Sequence, residues 1–245
     1  MNLNRLDRSL RENLTNLLQG YLEHCEVSRH LMARIDFPIY YHGFKFGAPV
    51  FTHAGPLAAS ENPKVIGLIG LNDPTSHVAS EVLLQFIEIL SQQPRLADAS
   101  ILRILPVANP VAMELGDVAP AINEWSILDH LVSQFHEQSP DGVIEVTAEK
   151  DGEYSLTGEA SPPLFAALEE VRASIPRDSD RLRVLVPENI ALKPVAADSQ
   201  WILKLNIPRS WTGAPEVHAI SRFIARLIRT HIWLNRDHEP KRSQF

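Results

Sequence analysis

The sequence predicts an α/β protein, a three-layer α/β/α sandwich whose central sheet is mixed and mostly parallel. Apolar runs of strand length alternate with longer segments of helical periodicity, which is typical of a parallel sheet covered by helices. Residues 65–70 include no polar side chain, as expected of a strand buried on both faces. Because no repeat or long linker interrupts the 245 residues, we expect a single domain over residues 1–245.

The amino-terminal part of this domain is predicted to hold a helix and a hairpin. Residues 37–46 alternate in polarity and then break at Gly47, which predicts a strand and a turn, and residues 49–54 could pair with that strand. We divide the chain into a helix within residues 1–30, a core of residues 37–232 and a polar tail of residues 233–245. The helix rests on apolar residues at helical spacing, namely Leu6, Leu10, Leu14, Leu17, Leu18, Tyr21 and Leu22.

The other predicted elements alternate along the core. An apolar stripe at helical spacing marks each helix, and a short apolar run marks each strand. In chain order they are a helix at 76–90, a strand at 101–108, a helix at 125–135, a strand at 143–148, a helix at 162–171, strands at 183–186 and 201–207, and a helix at 217–232.

Composition narrows the classes of partner. A formal net charge of -7 argues against nucleic acid or an anionic membrane as the main partner. The single cysteine, Cys25, excludes an internal disulfide framework and a cysteine-rich zinc site. No apolar run has the length of a membrane span or of a signal-peptide core. We expect a cytoplasmic protein that binds a small molecule or peptide in a cleft, or another protein.

The candidate cleft lies where the parallel strands end, because ligands of open α/β sheets bind outside the carboxyl ends of the strands. Trp211 lies in a loop beside Gly213 and Pro215, where an aromatic ring lines a cleft about as often as it packs. The predicted cleft residues are Asn72, Asp73, Thr75, Asn109, Pro110, Glu145, Thr147, Asn206, Arg209 and Trp211.

The stretch at residues 72–75 also has the composition of a helix start. Asp73 is a good N-cap residue, and Pro74 suits the first helical position, where the missing N–H costs nothing. On this interpretation Asp73 caps the helix at residues 76–90 and has no part in catalysis.

Two short motifs follow successive strands: Asn-Asp-Pro-Thr at residues 72–75 and Asn-Pro-Val-Ala at residues 109–112. Their order resembles that of the zinc carboxypeptidase superfamily, and more closely its succinylglutamate desuccinylase and aspartoacylase branch. The resemblance covers residues 37–232 and implies that Asn72, Thr75 and Thr147 occupy the positions of the three zinc ligands. It also implies that Asn206 occupies the position of the catalytic glutamate.

The residue types contradict the activity that this resemblance implies. Catalytic zinc is held by imidazole, thiolate or carboxylate donors, whereas asparagine and threonine offer neutral oxygens. An amide at Asn206 cannot accept a proton as the family's glutamate does. No Arg or Lys occurs between Ile104 and Glu149, so the family's carboxylate-binding arginine is missing there. We therefore expect a catalytically degenerate protein without a cofactor, acting as a binding or interaction module.

An alternative prediction is that the protein is an active enzyme with other metal ligands. His77 and Glu81 are four residues apart on one predicted helix, and His53 could join them if the hairpin folds over the cleft. The protein would then be a metal-dependent hydrolase of an amide or peptide bond with zinc as its cofactor. The sequence has no Gly-x-Ser-x-Gly elbow, phosphate-binding glycine loop or dinucleotide fingerprint. A metal-free enzyme in the same cleft has no identifiable pair of nucleophile and base.

Overall fold

The structure is a computed structural model that describes residue 16 and residues 18–41, 44–59, 62–71, 76–110, 126–149, 152–174 and 185–238. Within these residues eight strands form one sheet in the order β1-β2-β4-β3-β5-β8-β6-β7. The strands are β1 Leu31–Tyr41, β2 Phe44–Ala54, β3 Lys64–Leu71, β4 Ser100–Leu105, β5 Gly142–Glu149, β6 Ser155–Ala160, β7 Asn189–Pro194 and β8 Trp201–Pro208.

The sheet is mixed, and its four central strands are parallel. β3 pairs in parallel with β4 and β5, and β5 pairs in parallel with β8. β2 is antiparallel to both β1 and β4, whereas β6 is antiparallel to β8 and parallel to β7. The prediction of a mixed, mostly parallel sheet is therefore confirmed.

Helices cover both faces of this sheet. A side chain at Gly67 of β3 would meet Phe135, and one at Gly70 would meet Leu83, so helices lie on opposite sides of β3. Phe135 belongs to a helix on one face, and Leu83 belongs to a helix on the other that packs with the carboxy-terminal helix. The helices are α1 at residues 18–27, α2 Val78–Gln92, α3 Ser126–Glu137, α4 Pro162–Ala173 and α5 Pro215–His238.

The core forms because the apolar stripes of the helices meet the apolar strands. α2 buries Val82, Phe86 and Leu90 at the spacing that places them on one side of a helix. Each such side chain contributes roughly 1.5–3 kcal/mol when it is fully removed from water. In the described residues no helix is long and apolar enough to cross a membrane.

The amino-terminal hairpin differs from the prediction. The strands meet between Tyr41 and Phe44, so Gly47 lies inside β2 opposite Pro38 and does not form a turn. A Cβ at residue 47 would lie 2.9 Å from Cγ2 of Ile35, so glycine here allows a close approach of two strands. The expected break at Gly47 is wrong because a glycine inside a strand has the same sequence signature as one in a turn.

The start of α2 also differs from the prediction. The helix begins at Val78, and His77 is its N-cap residue without a side-chain capping bond. Ser76 binds one of the free N–H groups at the helix start, since its Oγ accepts a hydrogen bond of 3.4 Å from the N–H of Val78. The expectation that Asp73 caps this helix is therefore wrong, and Asp73 itself lies outside the described residues.

Two strands were not predicted, and one prediction fails. β6 and β7 extend the sheet beyond β8, whereas Leu185 and Val186 lie outside any strand. The other half of the strand expected at 183–186 lies outside the described residues, as do Leu6, Leu10, Leu14 and Leu17 of the first helix. The division into a helix, a core and a polar tail stays a prediction.

Candidate functional site

The carboxyl ends of the parallel strands bring two of the predicted site residues together. Thr147 near the end of β5 pairs with Leu71 of β3 on one side and with Asn206 of β8 on the other. Paired residues on neighbouring strands are about 5 Å apart and point to the same face of the sheet. The register thus places Thr147 and Asn206 side by side at the strand ends, and their place in a binding cleft stays a prediction.

A third polar residue continues the row. Ser155 of β6 pairs with Asn206, and Nδ2 of Asn206 donates a hydrogen bond of 3.2 Å to Oγ of Ser155. Thr147, Asn206 and Ser155, here called the polar row, thus place a hydroxyl, an amide and a hydroxyl on three adjacent strands. Ser155 is not among the predicted site residues, because its strand is short and carries no continuous apolar run.

Glu145 lies two residues before Thr147 on the same face of β5, and it is 5% exposed. Its carboxylate contacts Nε2 of His136 at 3.0 Å and Nζ of Lys204 at 3.2 Å. Burial alone would raise the pKa of Glu145, but these two partners outweigh it and lower the pKa below its ordinary value. The lowered pKa favours the ionised carboxylate, and its two oxygens already contact the imidazole of His136 and the ammonium of Lys204.

Asn109 and Pro110, which follow β4, are both buried. The N–H of Ala108 donates a hydrogen bond of 3.0 Å to the carbonyl oxygen of Gly70, which ties this loop to the end of β3. Asn109 is therefore buried beside the end of β3, and it is 1% exposed.

The loop after β8 packs over the same edge of the sheet. Trp211 is half-buried, and its ring lies 5.4 Å from the ring of Tyr154 at an interplanar angle of 48°. The hydroxyl of Tyr154 donates a hydrogen bond of 2.9 Å to the carbonyl oxygen of Leu185, and burial raises the pKa of Tyr154. Trp211 thus has a packing role, while Arg209 beside it is half-buried at the rim.

The same loop is fastened to the start of α2. The hydroxyls of Ser76 and Thr212 are 3.1 Å apart, and the N–H of Gly213 donates a hydrogen bond of 2.7 Å to Oε2 of Glu81. Glu81 therefore acts as an anchor for the loop between β8 and α5.

The alternative metal set does not converge. His53 pairs with Leu102, which pairs with Ile66, five residues before the end of β3 at Leu71. At about 3.3 Å per residue, His53 lies at the far end of the strand from His77 and Glu81. Across residues 76–110 and the other described ranges, no three His, Cys, Asp or Glu side chains are placed to hold a metal ion.

Asn72, Asp73 and Thr75 lie outside the described residues, so their place at the site stays a prediction. Thr147 and Asn206 do not fit the zinc that the resemblance implies. Both offer only neutral oxygen or amide groups, whereas zinc takes imidazole, thiolate or carboxylate. The chemistry of the described positions is that of hydrogen bonding.

Comparison with known proteins agrees with this fold. No protein-family model matches the sequence, and curated proteins give no match. A metallo-carboxypeptidase from Burkholderia cenocepacia superposes with a TM-score of 0.61 at 12% identity, over 88% of this chain and 68% of that one. A putative metallopeptidase from Shewanella denitrificans gives a TM-score of 0.55 at 14% identity, over 88% of each chain.

A third structure is a metallo-carboxypeptidase from Pseudomonas aeruginosa in complex with (2-guanidinoethylmercapto)succinic acid. It matches with a TM-score of 0.54 at 13% identity, over 89% of this chain and 68% of that chain. At such identities the likeness shows the fold alone. The predicted resemblance to the zinc carboxypeptidase superfamily is confirmed as a resemblance of fold, and the placement in the desuccinylase and aspartoacylase branch stays a prediction.

Proposed function

We propose that this chain is a non-catalytic protein of metallo-carboxypeptidase fold, and that it binds an uncharged polar small molecule or peptide group at the strand ends. The observation that carries the proposal is the polar row, in which Thr147, Asn206 and Ser155 lie in register on three neighbouring strands. A row of neutral hydroxyl and amide groups at the carboxyl edge of a parallel sheet is suited to recognition by hydrogen bonds.

The polar row lacks the chemical groups that zinc-dependent hydrolysis requires. A catalytic zinc site needs about three strong protein donors and an open position for water, and neither Thr147 nor Asn206 is such a donor. The water would also need a base, and the amide of Asn206 cannot take up a proton near neutral pH. The nearby carboxylates do not replace it, because Glu145 is paired with His136 and Lys204 and Glu81 binds the N–H of Gly213.

The row can instead pair with amide-like groups. A threonine hydroxyl both donates and accepts, and an asparagine amide has two N–H donors and one carbonyl acceptor. Among the described residues Asn206 makes one side-chain hydrogen bond, from Nδ2 to Ser155, and there its carbonyl oxygen and second N–H are left for a ligand. A peptide bond or a small amide offers the complementary donor and acceptor. A protein partner would reach the same row through an exposed peptide segment.

Zinc content tests this proposal. We expect the protein, purified without chelator and dialysed, to contain far less than one zinc per chain by elemental analysis. One equivalent of zinc retained through dialysis would contradict the proposal. The matched variant Thr147→Ala locates any such metal, because loss of that equivalent on substitution would place it at the polar row.

A further inference from the structure

A buried histidine on β2 lacks the hydrogen bonds that such a group normally makes. His53 is 0% exposed, and among the described residues neither of its ring nitrogens has a hydrogen-bond partner. It lies two residues after Phe51, so both side chains point to the face of the sheet where Phe51 packs against Tyr21 of α1. Buried polar side chains are nearly always hydrogen-bonded, so the unpartnered imidazole requires an explanation, and a bound ion is one of the few available.

A second histidine lies beside it and is already oriented. The ring of His30, which directly precedes β1, has its centroid 6.0 Å from that of His53, at an interplanar angle of 45°. Nδ1 of His30 lies 3.1 Å from the carbonyl oxygen of Ala54. A neutral imidazole that donates its N–H from Nδ1 to this oxygen carries its lone pair on Nε2. Metal-bound histidines are typically oriented in this way, by a hydrogen bond from the other ring nitrogen to a backbone carbonyl or a carboxylate.

The spacing of the two rings suits a single ion between them. A ligating ring nitrogen lies about 2 Å from a first-row metal ion and roughly 1.1 Å from the centre of its own ring, so two imidazoles on opposite sides of one ion have centres roughly 6 Å apart. The 6.0 Å between His30 and His53 matches this distance. The angle between the ring planes is free, because each ring can turn about its bond to the ion. His30 is half-buried, so an ion can reach the pair from its side.

The surroundings of the pair favour monovalent copper over a divalent ion. In the part of the chain that the structure describes, no third His, Cys, Asp or Glu side chain is placed to join the two histidines. Zinc takes four ligands in most protein sites, and a divalent charge buried without a carboxylate is costly. Monovalent copper carries a single charge and is stable with two ligands in a line, and imidazole is one of the common copper ligands.

We propose that His30 and His53 bind one monovalent copper ion, with Nε2 of His30 and one ring nitrogen of His53 as its two ligands. The ion enters and leaves in the same oxidation state, so binding needs neither an oxidant nor a reductant. The site is independent of the polar row, because His53 pairs with Leu102 away from the carboxyl ends of the parallel strands. Binding of copper here and the absence of zinc at the polar row are therefore separate expectations.

Competition with a chromophoric chelator of monovalent copper tests the site on the full chain, without oxygen and in the presence of ascorbate. We expect the parent to take up one copper ion per chain, and we expect His53→Leu and His30→Leu each to weaken binding by at least about tenfold. His130→Leu, at an exposed position of α3, is the matched histidine control. Cys25→Ser removes the single thiol of the chain. Both controls should bind copper as tightly as the parent.

X-ray absorption of the copper-loaded parent identifies the ligands without any substitution. We expect two nitrogen donors with the scattering pattern of imidazole and no sulfur donor. Circular dichroism establishes that each variant is folded before its affinity is compared with that of the parent. A parent chain that takes no copper from the chelator, copper bound through sulfur, or a folded His53→Leu variant that binds copper as tightly as the parent would each overturn the proposal.

Discussion

Gly70→Ala is expected to destabilise the fold by about 2–3 kcal/mol, because the end of β3 leaves no room for a methyl group. A Cβ at this position would lie 2.1 Å from the carbonyl oxygen of Pro106. That oxygen belongs to the backbone, so relief requires moving the loop that carries Asn109 and Pro110 away from β3. The same movement would strain the hydrogen bond from Ala108 to Gly70.

Urea unfolding of the parent and of Gly70→Ala measures this effect. The matched control is Gly20→Ala in α1, where the contacts of a Cβ with the described residues are the methyl groups of Leu84 at 3.4 Å. Alanine is favoured over glycine in a helix by roughly 0.8–1 kcal/mol, so the control should be neutral or slightly stabilised. Equal midpoints for Gly70→Ala and the parent would show that β3 and the loop at Pro106 are not in close contact.

Stability is expected to fall steeply as the pH drops from about 6.5 to about 4. Burial lowers the pKa of His53 from 6.5 to about 4, and the neighbouring His30 lowers it further in the same direction. Burial likewise lowers the pKa of His231 from 6.5 to about 4, with a contribution from Lys64. In this window the unfolded chain binds protons that the folded chain excludes, so stability is full above pH 6.5 and is lost toward pH 4.

Each histidine contributes roughly 2–3 kcal/mol to this loss. Among the described residues neither ring nitrogen of His53 has a hydrogen-bond partner, so an apolar replacement breaks no bond there. We expect His53→Leu to be about as stable as the parent at pH 7 and to lose less stability at pH 4.5. His130→Leu, at an exposed position of α3, should keep the parent's pH profile. Denaturant unfolding at several pH values measures the free energy of unfolding of each variant. A loss of stability toward pH 4.5 as large in the His53 variant as in the parent would contradict the prediction.

The central part of the fold could be predicted because its strands and helices have strong apolar patterns. β3 is buried along most of its length, and the stripe of α2 matches its buried face. β6 and β7 were missed because they lie at the polar edge of the sheet, where Gly158, Lys193 and Pro194 interrupt any apolar run. Their position depends on pairing with β8, a contact that no local pattern records.

The candidate site was predictable in part. Thr147 and Asn206 could be assigned to the ends of two recognisable strands, whereas the register that sets them side by side is known only from the structure. Ser155 could not be found, because its role depends on an antiparallel strand that the sequence does not mark. The sequence left open whether Trp211 lines a cleft or packs, and its ring contact with Tyr154 indicates packing. The helix start at Val78 depends on contacts among Ser76, Thr212 and the loop after β8, which are distant in sequence.

A zinc titration of the parent and of the triple variant Asn72→His, Thr75→Glu and Thr147→His tests the central claim most directly. Three such donors at one point with an open fourth position are the usual arrangement of catalytic zinc. We predict that the folded triple variant binds one zinc at least about tenfold more tightly than the parent, which corresponds to about 1.4 kcal/mol. The double variant without Thr147→His should fall between them, and Asn206 would still leave the site without a base. Equal zinc affinities in well-folded parent and triple variant would contradict the account, because these positions would then not converge on a metal site.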